Sequence, residues 1–100
     1  MPDDKIEIEN INMPGRTERV DRAKYVAMRN ALLAVLPSEA PGLKVADAKE
    51  ALLPRLPDFL FPQGKTAGWW LKAVQLDLEA KGVVRRAPLK PVHLYRRGPT

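Results

Sequence analysis

A chain of 100 residues with 45% hydrophobic and 29% charged side chains suits one folded domain with a modest core. The absence of cysteine excludes disulfides and thiolate metal sites, and no apolar run approaches membrane-spanning length. A net charge of +5 favours a polyanionic partner, because clustered Lys and Arg release counterions when they meet phosphates.

Residues 1–20 are predicted to form an N-terminal arm. A short alternation at residues 6–9 is compatible with an edge strand, and turn-forming residues follow it. Ile6, Ile8 and Ile11 are expected to cover an edge of the core from a loose arm. The acidic N-terminus lacks the pattern of a signal peptide, so we expect a cytoplasmic protein.

Two helices are predicted next. Asp21 is a suitable N-cap for a helix over 22–36, which Pro37 stops. A short strand near Leu43 is predicted to precede a second helix over 45–53. The aromatic stretch that follows is expected to fill a gap between helices with Phe59, Leu60 and Phe61.

The third predicted helix covers residues 66–81, and Gly82 ends it in the left-handed conformation that suits glycine. One apolar sector contains Ala67, Leu71, Val74 and Leu78. The one continuous polar strip consists of Lys65, Gly68, Lys72, Gln75 and Glu79. Asp77 and Lys81 have the spacing of a solvated ion pair. Both Trp69 and Trp70 are predicted to be core residues, with a partner-binding role for one of them as the alternative.

After the helix the apolar period changes from 3.6 to 2, which predicts a β-hairpin with strands near 83–87 and 91–96. Residues 83–100 contain five basic residues and no acid, so this segment alone carries +5, which equals the charge of the whole chain. The excess positive charge is therefore concentrated on the hairpin.

The run LDLEAKGVVRR resembles the end of the recognition helix and the start of the wing in winged helix-turn-helix proteins. The motifs ENIN-x-PGR, AGWW and VQLDLEAKG resemble a family of small, uncharacterised bacterial proteins over nearly the whole chain. The resemblance implies an α+β winged helix-turn-helix domain over 21–97 with a tail at 98–100, and it implies no activity. The segment between the second and third helices is longer than the usual three- or four-residue turn.

Signals for catalysis are weak. Gly64-Lys65-Thr66 lacks the earlier glycine that a phosphate-binding loop requires, so Lys65 beside a helix N-terminus has two interpretations, contact with one phosphate or a helix capped by Thr66. The single His93 stands in a predicted strand and the single Ser38 in a predicted loop. We expect no enzyme, no cofactor, no metal site and no small-molecule substrate.

Two functions fit these observations. The first is binding of duplex DNA, mostly through its backbone, and the second is a protein-interaction or dimerisation module that uses Trp69 or Trp70. For DNA binding, the helix strip contributes Lys65, Lys72 and Gln75, and the wing contributes Arg85, Arg86, Lys90, Arg96 and Arg97.

Overall fold

Three helices and two small antiparallel sheets make up the part of the chain that the structure, a computed structural model, describes, residues 4–97. The predicted tail at 98–100 lies outside the described residues, as does the beginning of the arm at 1–3. The elements in chain order are β1 (Lys5–Glu9), β2 (Thr17–Asp21), α1 (Arg22–Val35), β3 (Leu43–Lys44), α2 (Val45–Leu52), α3 (Ala67–Ala80), β4 (Val84–Arg86) and β5 (His93–Arg96). The α+β class predicted from the sequence is confirmed.

All three predicted helices are present with ends within one residue of the expected ones. Asp21 caps α1, since its carboxylate accepts a hydrogen bond of 3.1 Å from the Lys24 amide. After α2 the chain continues as a 3₁₀ turn at Leu53–Arg55, because Pro54 removes the backbone donor that a further α-helical turn needs. Gly82 ends α3 at a φ of 76°, as predicted.

The C-terminal hairpin belongs to a three-stranded sheet. The strand order is β3-β5-β4, so the short β3 between α1 and α2 pairs with the last strand of the chain. Gly42 allows this pairing, because a Cβ atom at that position would lie 1.8 Å from the Leu94 carbonyl oxygen. The hairpin is thereby fixed to the body of the domain along one of its strands.

The N-terminal arm is a complete β-hairpin rather than a loose arm. β1 and β2 pair along their full lengths, with Ile6 opposite Val20 and Ile8 opposite Glu18. Ile8 and Val20 enter the hydrophobic core, and Ile6 packs against it, whereas Ile11 is 42% exposed at the hairpin turn. The prediction that three isoleucines cover an edge of the core is correct for Ile6 and Ile8 and wrong for Ile11.

The core lies between α1 and α3, with α2 and the two sheets closing its sides. The predicted apolar sector of α3 is buried throughout, and it belongs to one cluster with Tyr25, Met28 and Leu32 of α1. Phe61 of the connector is buried against Trp70, with ring centroids 6.5 Å apart. This connector therefore fills the gap between helices as expected.

Two predictions about aromatic residues need correction. Trp70 is buried, but Trp69 is 54% exposed, because adjacent helical residues point about 100° apart and the core takes only one of them. Phe59 is 83% exposed, whereas Phe61 two residues later is buried. The connector turns between them and leaves Phe59 outside the core.

Asp77 is the polar centre of the core. The sequence predicted a solvated pair with Lys81, but the Asp77 carboxylate is fully buried. It accepts hydrogen bonds from the Tyr25 hydroxyl of α1 and, at 2.8 Å, from the Glu9 backbone amide of β1. Lys81 reaches the same carboxylate from the half-exposed end of α3, with Nζ 2.8 Å from Oδ1. One buried charge thus joins the N-terminal hairpin, α1 and α3.

Replacing Asp77 by Ala should lower the free energy of unfolding by about 3–5 kcal/mol, because it leaves the Tyr25 hydroxyl and the Glu9 amide without their acceptor. Urea denaturation measures this loss. The control is Glu50→Ala, which removes a carboxylate from the exposed face of α2 and should cost less than about 1 kcal/mol. Equal costs for the two variants would contradict the central position of Asp77.

A second prediction concerns alkaline pH. Burial, followed by the hydrogen bond to Asp77, raises the pKa of Tyr25 above that of an ordinary tyrosine. The folded state therefore holds the Tyr25 proton where the unfolded chain releases it, so this contribution to stability is complete below about pH 10 and declines above it. The difference in unfolding free energy between wild type and Tyr25→Phe should be constant from neutral pH to about pH 9 and shrink above pH 10. A constant difference through that range would contradict the assignment.

Candidate functional site

The polar strip predicted on α3 is exposed only in its N-terminal half. Gly68 and Lys72 lie at the surface, but Gln75 and Glu79 are buried, with 6% and 8% of their surface exposed. The hairpin β4–β5 covers the C-terminal half of the helix. The helical periodicity of the sequence predicts the strip, but it does not predict that the hairpin packs over part of it.

Gln75, Glu79 and Arg86 form one hydrogen-bonded cluster. The Gln75 amide donates to Glu79 Oε2 at 2.9 Å, and Arg86 makes two hydrogen bonds to the same carboxylate, at 2.8 and 3.1 Å. The hydrogen bonds that Arg86 donates to Glu79 raise the pKa of Arg86 above its ordinary value. The structure therefore buries most of Gln75, which was predicted to be exposed toward the DNA groove, and attaches Arg86 to α3.

The basic residues of the hairpin occupy three kinds of position. Arg86 is paired with Glu79, as described, and Arg96 donates from Nε to the Leu36 carbonyl at 2.9 Å, which satisfies the C-terminal end of α1. Arg85, Lys90 and Arg97 are exposed. Within residues 4–97, none of these three side chains has an ion-pair partner. The concentrated charge seen in the sequence is thus partly used inside the fold.

Lys65 precedes α3 at the surface. Thr66 has a left-handed backbone at φ 62°, and its hydroxyl donates to the Lys65 carbonyl instead of accepting from the first turn of the helix. The alternative in which Thr66 caps α3 with its side chain is therefore wrong. The backbone donors at this helix end have no side-chain cap.

A concave surface, here called the basic groove, lies between α2, α3 and the C-terminal hairpin. Its lining residues are Asn12, Val45, Lys49, Gly68, Leu71, Lys72, Gln75, Leu76, Arg86 and Val92. Three of them are cationic and none is acidic. The groove has a volume of about 520 Å³. A positive surface of this kind attracts anions such as phosphate.

Lys49 is the groove residue that the sequence analysis did not identify. It follows Val45 by one helical turn, at the edge of the inward face of α2. Its ammonium lies close over Gly68, where a Cβ atom would be 3.3 Å from Nζ. The sequence signal for Lys49 is its position one helical turn after the inward-facing Val45. That signal does not show that Lys49 faces α3, because the contact depends on Gly68 in that other helix.

A second concave surface, here called the indole groove, lies between the N-terminal hairpin and α3, with a volume of about 480 Å³. Its lining residues are Ile8, Glu9, Asn10, Met13, Arg16, Thr17, Glu18, Trp69, Lys72, Ala73 and Leu76. Two acids and two bases balance each other in this set. Lys72 lines both grooves, so the two surfaces adjoin along α3.

No group of three or more His, Asp or Glu in residues 4–97 has the geometry to hold a metal ion. His93 Nδ1 lies 2.7 Å from the Pro91 carbonyl oxygen, a local contact within the hairpin. Among the same residues, no helix combines the length and the apolar character needed to cross a bilayer.

Comparison with known proteins places the chain in a family. Searches of curated proteins and of solved structures gave no significant match. The model of a protein family of unknown function, DUF6958, matches residues 5–94, which include every helix of the domain and nearly the whole of both sheets. The chain therefore belongs to the family of unknown function DUF6958.

Proposed function

We propose that this domain binds nucleic acid, chiefly duplex DNA, through the phosphate backbone. The observation that carries the proposal is the basic groove, whose lining among residues 4–97 includes Lys49, Lys72 and Arg86 and no carboxylate. Glu79 lies behind Arg86 and neutralises part of its charge, so Lys49 and Lys72 supply the free positive charge. Phosphate contacts of this type give affinity with little sequence preference.

The order of elements supports the same proposal. Helix α1, strand β3, helices α2 and α3 and the hairpin β4–β5 follow one another in the order expected for the winged helix-turn-helix that the sequence predicts, and the strand order β3-β5-β4 supports that interpretation. In helix-turn-helix proteins the second helix of the motif enters the major groove and flanking segments contact the backbone. By this analogy α3 and the hairpin face DNA, and the basic groove lies between them.

The side chains on α3 favour backbone contact over base reading. The exposed residues of its N-terminal half are Gly68, Trp69 and Lys72, and none of them is an Arg, Asn or Gln able to pair with a base edge. Gln75, which has that ability, donates its amide to Glu79. We infer weak sequence specificity, with additional phosphate contacts from the exposed wing residues Arg85 and Lys90.

The alternative function, a protein-interaction or dimerisation module, is favoured by a separate observation. Trp69 is 54% exposed and Met13 is 43% exposed, and both line the indole groove. Large exposed apolar side chains of this kind are frequent anchors at protein interfaces. Light scattering over a range of concentrations tests self-association. A monomer at all concentrations would remove the dimerisation form of this alternative.

The DNA proposal predicts that Lys49→Ala with Lys72→Ala weakens binding to unrelated duplex sequences equally. The slope of log K against log salt should fall by about 1.8, since each lost phosphate contact on B-DNA removes about 0.9. Fluorescence anisotropy with a labelled duplex at several salt concentrations measures both quantities.

The matched control is Arg19→Ala with Arg55→Ala, which removes the same charge from two exposed positions outside both grooves. It should leave the salt slope nearly unchanged. Equal effects of the two double variants would show that net charge, and not the basic groove, governs binding. A wild-type protein that fails to bind duplex DNA at low salt would disprove the proposed function.

A further inference from the structure

We propose that the indole groove accepts a single unpaired nucleobase from the nucleic acid whose backbone lies in the basic groove. The ligand class is therefore a duplex with an extrahelical base, or a junction between paired and unpaired strands. This inference rests on the proposed function and adds to it a structural preference. It assigns a role to Trp69 that the backbone contacts leave unexplained.

Trp69 is a fixed and accessible aromatic platform. Its ring meets the buried Trp70 edge-on, with centroids 5.1 Å apart and planes at 77°. Trp70 in turn meets the buried Phe61 at 6.5 Å and 84°. This series of contacts holds the indole in place while 54% of the residue stays exposed. A base that stacks on such a ring gains affinity without needing a particular sequence.

The rest of the indole groove has the chemical character of a base. Ile8, Met13 and Leu76 are apolar residues of its lining, and Asn10 and Glu18 are polar ones. Nucleobases have apolar faces and polar edges, and a carboxylate oxygen accepts hydrogen bonds from an exocyclic amino group. The volume of about 480 Å³ lies within the range of small-molecule sites.

The charges of the two grooves match the two parts of a nucleotide. The basic groove is lined by cations, which suits a phosphate, whereas the indole groove apart from the shared Lys72 has two acids and one base, so it has no excess positive charge and suits a base better than a phosphate. Lys72 lines both and follows Trp69 by three residues, so it shares one face of α3 with the indole. A phosphate at Lys72 thereby brings its own or the adjacent base to Trp69.

The base must be unpaired for this contact. Within an intact duplex both faces of a base are covered by its neighbours, so an aromatic side chain reaches a face only when the base leaves the stack. For a bulged or terminal unpaired base, little or no further free energy of unpairing and unstacking is needed. The two-groove arrangement therefore predicts a preference for an unpaired base over a fully paired duplex.

The test compares two labelled duplexes that differ by one unpaired adenine in the middle of one strand. Anisotropy titrations use wild type, Trp69→Ala and Trp69→Phe, with urea denaturation to verify that each variant is folded. Wild type should bind the bulged duplex roughly 5- to 140-fold more tightly than the paired one, the range that stacking of one base on an aromatic side chain contributes. Trp69→Ala should lose this preference and keep its affinity for paired duplex, and Trp69→Phe should retain most of the preference.

Three results would overturn the inference. Equal wild-type affinity for the two duplexes would disprove the base site while leaving the backbone function in place. A preference that survives Trp69→Ala would place the unpaired base elsewhere. Absence of binding to either duplex at low salt would disprove the proposed function itself, and a dimer that Trp69→Ala dissociates would then assign the indole groove to a second copy of the chain.

Discussion

The buried carboxylate of Asp77 is the constraint on which the rest of the structure depends. A charge without solvent is costly unless several donors satisfy it, and here the donors come from three separate parts of the chain: Tyr25, the Glu9 amide and Lys81. The contact with Glu9 fixes the end of β1 against α3, beside the turn that contains Asn10 and Asn12. Both grooves take part of their wall from that turn, so their shapes follow from this interaction.

A second buried acid, Glu79, attaches the C-terminal hairpin to another side of α3. Glu79 lies two residues after Asp77, hence about 200° around α3. Its carboxylate accepts hydrogen bonds from Arg86 and Gln75. The N-terminal hairpin and α1 are thus joined to one side of the helix and the C-terminal hairpin to the other. With both sides covered, residues 74–79 of α3 are buried, and most of the surface that α3 can offer to a partner lies in its first turns.

The helices were predictable because their signals are local. Periodic apolar residues, the Asp21 cap and Gly82 all act within a few residues of the element that they define. The burial of Asp77 and Glu79 has no local signal, since Asp77 accepts hydrogen bonds from Glu9 and Tyr25, and Glu79 accepts from Arg86, and these donors approach only in the folded chain. Strand β2, with the sequence TERVD, was missed for a related reason, because Val20 is its single core residue and its stability comes from pairing with β1.

The candidate site shows why charge counted along a segment differs from charge available at a surface. Residues 83–100 carry +5, yet Arg86 pairs with Glu79 and Arg96 donates to the end of α1, so two of the five cations hold the fold together. The free charge in the basic groove comes instead from Lys49 and Lys72. Lysine is a flexible point charge, whereas arginine can bind a phosphate or a guanine with two directed hydrogen bonds. Under the proposed function, a groove based on lysine therefore contacts chiefly the nucleic-acid backbone, and the exposed indole beside it supplies the preference for an unpaired base.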